Sequence, residues 1–232
     1  IRGEGYPLGQ AWGLMRDFSN GGNGYINTQE ELEWAKDTYD IGTPRLGDFK
    51  YVDVNKDGVI DAKDEVPMGY GSIPRISYGL AFTVNWKGLD LSVLFQGIAK
   101  ASRAYAGMGV YETGKDGFFT GYHRNAWTKE RYENGEKITY PALTATSSVS
   151  QRTNDFFIMD RSFLRLKNLE LGYTLPANLL KSIGISNVRV YIGGQNLFTW
   201  DNLRFNTFDP EMDNGVSYPI LKMINLGANI TF

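Results

Sequence analysis

The stretch ISYGLAFTVNWKGLDLSVLFQGIA, Ile76 to Ala99, decides how this chain folds. Its first half alternates strictly: Ile76, Tyr78, Leu80, Phe82, Val84 and Trp86 fall on one face of an extended chain, and Ser77, Gly79, Ala81, Thr83 and Asn85 on the other. A period of two marks a β-strand with one apolar face, because successive side chains leave the pleat on opposite sides. Lys87-Gly88 then supplies a two-residue turn in which glycine tolerates positive φ. The return, LDLSVLFQGIA, sets Leu89, Leu91, Val93 and Phe95 against Asp90, Ser92 and Gln96. The two halves predict a long antiparallel hairpin.

The same pattern recurs outward from it. SFLRLKNLELGYTL, from Ser162, places Phe163, Arg165, Lys167, Leu169, Leu171 and Tyr173 on one face, an imperfect alternation that Pro176 ends. ANLLKSIGIS allows one short helix, and NVRVYIGGQNLFTW resumes as a strand with Val188, Val190 and Ile192 on one side. KMINLGANITF sets Ile224, Leu226, Ala228, Ile230 and the terminal Phe232 against Asn225, Gly227, Asn229 and Thr231. LGQAWGLMRDF, Leu8 to Phe18, reads as a first strand, giving six in all. Short links (Lys87-Gly88, Pro176 to Asn187) alternate with long segments at 19–75, 100–155 and 201–217 that are rich in Gly, Asp, Asn, Thr and Tyr.

Alternation alone fits a soluble β-sandwich as well as a barrel. Three details favour a transmembrane antiparallel β-barrel with long extracellular loops: strands of about ten residues or more, the asymmetry of the connections, and the aromatics Tyr78, Trp86, Tyr173 and Trp200 near strand ends, where an interfacial girdle sits. The soluble alternative is a secreted, calcium-stabilised β-sandwich that binds carbohydrate or mediates adhesion. Aromatic content of 14% and 27 glycines among 232 residues suit strands and tight turns. No run of about 18 apolar residues exists for a transmembrane helix. The chain opens on Ile1 and reads as a processed or truncated piece.

Charge and composition remove other classes. With 24 basic against 26 acidic residues the net charge of −2 offers no field for nucleic acid. The absence of cysteine removes disulfides, thiolate zinc sites and cysteine nucleophiles. His123, in GYHRNAW, is the sole histidine and reads as surface or aromatic-packed rather than catalytic; no serine elbow appears, and GMGVYETGK, from Gly107, lacks the ending of a phosphate loop. The chain is therefore not read as an enzyme. Tyr105, Tyr111, Phe118, Phe119, Tyr122 and Trp127 are candidates to stack on sugar rings, or else to pack the long segments on themselves.

DVNKDGVIDAKD, Asp53 to Asp64, follows the spacing of a twelve-residue calcium loop. Asp53, Asn55 and Asp57 stand at positions 1, 3 and 5, Gly58 at the sharp turn of position 6, and Asp64 at position 12. Alternating carboxyl and amide oxygens converge on a hard cation; Val59 offers its carbonyl, Asp61 acts through water, and Ile60 packs inward. Asp64 replaces the customary glutamate, which shortens its reach. The bland alternative is an Asp/Asn/Gly-rich turn without metal. Because the flanks GDFKY and EVPMGYG do not form helices, the expected role is structural, with Ca2+ or Mg2+ folding residues 46–70 rather than switching them.

Taken together, EGYPLGQAWGL, the run from Gly47 to Gly97, RSFLRLKNLELGYTLPANLLKSIGISNVRVYIGGQNLFTW, FDPEM and the Phe-ended strand resemble the C-terminal part of SusC/RagA-type TonB-dependent outer-membrane transporters. The resemblance covers most of the chain and is weakest at 19–45 and 100–155. It implies a 22-stranded barrel in the outer membrane of a Gram-negative bacterium, of which residues 1–232 form roughly the last six strands. It also implies an upstream portion of the barrel, membrane lipid around it, a plug, a TonB complex acting through the missing N-terminal part, and a SusD-like lipoprotein that captures oligosaccharides or peptides. Phe232 then resembles the signal read by the barrel-assembly machinery.

Overall fold

The computed structural model describes residues 4–107, 109–112, 119–180, 184–205, 208–212, 218 and 220–232. Its strands are β1 (Gln10–Gly13), β2 (Val66–Gly71), β3 (Ile76–Trp86), β4 (Leu89–Ala99), β5 (Ser102–Ala104), β6 (Ile158–Asp160), β7 (Phe163–Thr174), β8 (Asn187–Asp201) and β9 (Met223–Thr231). The helices α1 (Gln29–Thr38), α2 (Lys129–Glu133) and α3 (Ala177–Leu180) are short. The chain divides into two compact units, one from residues 74–100, 161–202 and 219–232, the other from 1–73, 101–160 and 203–218.

The first unit is one antiparallel sheet in the order β3-β4-β7-β8-β9, a meander in which each strand pairs with the next along the chain. Trp86 pairs with Leu89 across the Lys87-Gly88 turn, where φ is 48° and 87°. Two consecutive positive φ values are those of the hairpin turn whose twist matches its strands, so Gly88 is required there. The connections before β3, between β4 and β7, and between β8 and β9 are long, and all join the same end of the meander; the β3–β4 and β7–β8 links are short. β3 and β9 remain edges, so the sheet is an open piece of a barrel wall rather than a closed structure.

Among the described residues the sheet holds five strands, not six. Within Leu8–Phe18 only Gln10–Gly13 is a strand, and it pairs with Val66–Gly71 in a separate two-stranded sheet. Gly9 at φ 77° and a bulge between Gln10 and Ala11 interrupt the strand, while Leu14, 1% exposed, enters a core of its own. The imperfect alternation of β7 also has a cause. A bulge at Lys167 pairs Leu166 with Phe95 but Asn168 with Leu94. The bulge moves Leu164 and Leu166 onto the face of Leu169, Leu171 and Tyr173, and Phe163 and Arg165 onto the other, reversing the assignment that strict alternation gives.

The second unit gathers the long connecting segments around an aromatic core. Phe49 lies 5.5 Å from Tyr25, 5.1 Å from Phe156 and 6.2 Å from Phe157 between ring centroids. Thr28 caps α1 by accepting the Glu31 amide at 3.2 Å, and the Glu31 carboxylate accepts the Thr28 amide at 3.2 Å, so two orphan donors are satisfied and Leu32 and Ala35 turn inward. Buried polar groups are paired across segments distant in sequence. Asp48, fully buried, accepts the Ser150 hydroxyl at 3.0 Å and the Arg45 amide at 2.9 Å. Asn154 donates to the Tyr51 hydroxyl at 2.9 Å and accepts the Phe156 amide at 3.0 Å. These bonds tie residues 45–51 to 148–157, so the segments form a folded body rather than loose loops.

Candidate functional site

Directly opposed residues of antiparallel strands share a face, so the register sorts the sheet into two surfaces. One surface carries the rows Leu80–Phe95–Leu166–Phe198, Phe82–Val93–Leu169–Gly194–Ile224 and Val84–Leu91–Leu171–Ile192–Leu226. The chain covers these rows only in part: Val93 and Leu166 are buried, but Leu80 is 61% exposed, Phe198 56%, Ile224 74% and Leu226 81%. A soluble sandwich would cover such a face with a second sheet. Tyr78 and Trp200 share a row at one end of the surface, and Trp86 and Tyr173 share a row at the other. From Tyr78 to Trp86 the strand advances roughly 26 Å at ~3.3 Å per residue, or about 20 Å of height at the tilt of outer-membrane strands. The spacing matches an apolar band between two aromatic girdles.

The opposite surface is polar. Its rows include Thr83–Ser92–Glu170–Gly193–Asn225 and Asn85–Asp90–Gly172–Tyr191–Gly227. Arg189 joins them: its Nε donates to Asp90 at 3.0 Å and its Nη2 to both Asp90 and, at 2.6 Å, Glu170. Gly172 sits beneath this ion triad, and a Cβ there would overlap the Arg189 guanidinium and stand 2.6 Å from the Asp90 carboxylate. Apolar outside and ion-paired inside is the partition of a barrel with a wet lumen.

In the acidic loop each candidate side-chain ligand is engaged locally. Asp53 accepts the amides of Lys56 (2.6 Å) and Gly58 (2.8 Å), with Gly58 at φ 84°. Asn55 donates to Asp57 at 2.9 Å and accepts its amide at 2.8 Å. The Val59 amide, first, and then Asn55 and Lys63 hold the Asp57 carboxyl below its ordinary value. Asp61 accepts the Lys63 amide at 2.6 Å, and the Lys63 ammonium lies 3.3 Å from Asp61 and 3.7 Å from Asp57. Asp64 is fully buried and accepts the amides of Val54 (2.8 Å), Asn55 (3.3 Å) and Asp61 (2.9 Å), closing the two ends of the loop on itself. Ile60 packs inward, fully buried. Among the described residues no three acidic or histidine side chains are gathered to hold a metal. The oxygens do suit a hard cation: a carboxylate has about four lone-pair sites, and at Asp53 the amides occupy two.

No family model matches the chain. Among curated proteins it is 30% identical over 226 residues to TonB-dependent receptor P26 of Formosa agariphila, covering 90% of this chain and 22% of that one. It is 28% identical over 194 residues to TonB-dependent receptor SusC of Bacteroides thetaiotaomicron, covering 78% and 17%. Among solved structures it superposes on the RagAB peptide transporter with a TM-score of 0.65 at 24% identity, covering 96% of this chain and 22% of that one. For the RagAB peptide importer in its open-open state the TM-score is 0.58 at 27% identity, covering 80% and 21%. The chain is a segment of a SusC/RagA-type TonB-dependent receptor.

The receptor segment spans about a fifth of the length of the curated relatives it matches. Its sheet belongs in the outer membrane of a Gram-negative bacterium, with the apolar rows toward lipid. The aromatics singled out in its long segments mostly serve packing. Tyr105, 1% exposed, stacks on Phe208 at 5.9 Å, Tyr122 on Phe205 at 4.1 Å, and Trp127 donates its indole N–H to Asn27 at 3.0 Å. Tyr111 donates to the Gln151 carbonyl at 2.9 Å. Phe119 is 58% exposed, and Phe118 lies outside the described residues. His123 is buried against Tyr122 and Tyr140 and accepts the Thr120 amide at 2.9 Å; burial lowers its pKa to about 4, so it stays neutral. The receptor segment thus uses its histidine as a packing residue, as the aromatic setting of GYHRNAW implies.

Proposed function

We propose that the chain is the C-terminal portion of the barrel wall, with the attached outer segments, of an importer that carries oligosaccharides or peptides across the outer membrane. A SusD-like lipoprotein delivers the solute, and a TonB complex drives passage through the part of the receptor that precedes this segment. The observation that carries this reading is the in-register apolar face, flanked by aromatics and backed by an ion-paired polar face. It is a surface for lipid on one side and water on the other. Similarity to proteins named TonB-dependent receptor and peptide transporter supports it.

Deleting the gene of the whole receptor and following uptake of labelled oligosaccharides and labelled peptides tests the proposal. Loss of uptake of one class, reproduced by deleting TonB, is expected, together with co-purification of a surface lipoprotein from detergent. Unchanged uptake of both classes, or recovery of the receptor in the soluble fraction without detergent, would overturn it.

For residues 46–70 we propose a structural ion, Ca2+ with Mg2+ as competitor, held by Asp53, Asn55, Asp57, the Val59 carbonyl, Asp61 through water, and Asp64. The ion would displace the Lys63 ammonium from Asp57 and Asp61. Support comes from the spacing of the oxygens and from the amides that already orient Asp53. Hydrogen exchange of this loop in the whole receptor should quicken with chelator and in the Asp53→Ala/Asp57→Ala variant. Equal protection in all three samples would leave the loop as a metal-free turn.

A further inference from the structure

The apolar surface of the sheet ends on a cation at its outer girdle. In the rows that the register places on that surface, no residue of β3, β4, β7, β8 or β9 is charged. Lys222, which leads into β9, breaks the pattern: its ammonium lies 5.8 Å from the centroid of the outward-facing Phe198, and Phe198 stacks on Trp200 at 6.1 Å. Lys222 is exposed and, among the described residues, pairs with no carboxylate. A charge on a lipid-facing strand is tolerated only near the interface, where a long stem lifts the ammonium to headgroup level. β9 begins at the end of the meander where the long segments attach, so Lys222 belongs to the outer leaflet. Its neighbours reinforce the charge. Lys100 and Arg161, at the same end of β4 and β7, pair with no carboxylate among the described residues, whereas Arg75, Asp160 and Asp201 have partners within the chain. At the opposite end the described side chains of the sheet set Lys87 and Arg189 against Asp90 and Glu170, an even balance.

Beside Trp200 a cavity of about 240 Å³ opens at the same girdle, lined by Tyr78, Ala99, Ser162, Leu164, Trp200 and Asn202 among others. Asp201 also reaches it but belongs to the row of Ser77, Ile98 and Phe163 on the polar surface. Two aromatic rings and neutral polar groups suit a sugar ring, and an ammonium suits a phosphate. Below them Leu80, Phe82 and Ile224 continue an exposed apolar surface that suits acyl chains. A simple phospholipid supplies the phosphate and the chains but nothing to fill the cavity. We propose that this girdle binds a phosphorylated glycolipid of the outer leaflet, with Lys222 on the phosphate, Tyr78 and Trp200 flanking the sugar, and the acyl chains along Leu80, Phe82 and Ile224.

The test is lipid binding to the purified, delipidated whole receptor in detergent, which reads neither uptake nor TonB. Lipid A, dephosphorylated lipid A and phosphatidylglycerol are titrated by native mass spectrometry, with hydrogen exchange of residues 198–202 and 220–224 as the local readout. Lipid A is expected to bind and to slow exchange in both stretches. Binding at this site should be about tenfold weaker in Lys222→Gln, the loss of one charge-assisted contact, and restored in Lys222→Arg. Lys87→Gln, at the other girdle, should change nothing. Equal protection by dephosphorylated lipid A would overturn the proposal in the unaltered receptor, whatever the variants do. Protection by phosphatidylglycerol as strong as that by lipid A, or undiminished protection in Lys222→Gln with heat-modifiable migration retained, would overturn it as well.

Discussion

Phe49 and Phe198 are the same residue type in opposite surroundings. Phe49 is fully buried among Tyr25, Tyr51, Phe156 and Phe157, whereas Phe198 is 56% exposed on the sheet, over Leu166 and beside Trp200. In the unit of long segments protein covers the aromatics; on the sheet the chain covers its outward apolar rows only in part, and the bilayer is the remaining cover. The contrast teaches that apolar content alone carries no solubility meaning until register assigns it to a face. It also makes the two units respond to opposite substitutions.

The largest effect should come from Phe49→Ala, which removes the ring shared by four neighbours. Loss of a buried phenylalanine costs about 3–5 kcal/mol, and in the whole receptor this should appear as faster hydrogen exchange across 45–51 and 148–157 with the barrel's heat-modifiable migration retained. Loss of both together would show that the two units do not unfold separately. Next, Ile224→Arg, in the row midway between the two aromatic rows, adds charge to a side chain that is 74% exposed. On a water-facing surface such a change stays within about 0.5 kcal/mol; on a lipid face near mid-bilayer it costs about 2–4 kcal/mol. Urea unfolding in lipid vesicles reads the difference, with Thr83→Arg on the polar face as the mild control. A neutral Ile224→Arg would break the comparison outright.

Protons offer a third test, confined to the long segments. The folded pKa of His123 is lowered to about 4 from an ordinary 6.5, chiefly by burial. Between those values the unfolded chain binds a proton that the folded one refuses, so stability is complete above about pH 6.5, falls as pH drops, and levels off below about 4. At ~1.36 kcal/mol per pKa unit the full loss is about 3 kcal/mol. Exchange protection around Thr120–Asn125 should follow this window and should lose that pH dependence in His123→Phe, which still packs on Tyr122 and Tyr140. A wild-type profile flat from pH 7 to 4 would show that the imidazole is solvated.

How far the sequence revealed this follows from the range of the forces. Ile76 to Ala99 could be read because strand alternation and the Lys87-Gly88 turn are local, and Met223 to Thr231 likewise. Strict alternation gives the wrong faces for β7 because the bulge at Lys167 is defined by pairing with β4, which no single stretch contains. Leu8–Phe18 alternates, but its fate depends on Leu14 meeting Asn154. Helix α1 does carry a local signal, the capping box of Thr28 and Glu31. The Asp53 loop was legible in spacing, not in the amides that engage its oxygens.

The smallest expected effect sits where sequence gives least warning, at Gly172. It lies between Asp90 and Tyr191 in the polar row, and the added methyl of Gly172→Ala would press on the Arg189 guanidinium and the Asp90 carboxylate. Overpacking of this kind costs about 1–3 kcal/mol, but the outcome depends on what lies on that face. If water fills the lumen beside it, Arg189 can swing away while keeping Glu170, its charge remains solvated, and the cost falls to the low end. If the face is packed dry, Asp90 is left unpaired and the cost rises to the high end. Comparing Gly172→Ala with Gly172→Ala/Asp90→Asn by urea unfolding in vesicles separates the two: relief of the penalty in the double variant signals a dry face, and no relief signals the wet lumen that the partition of the sheet requires.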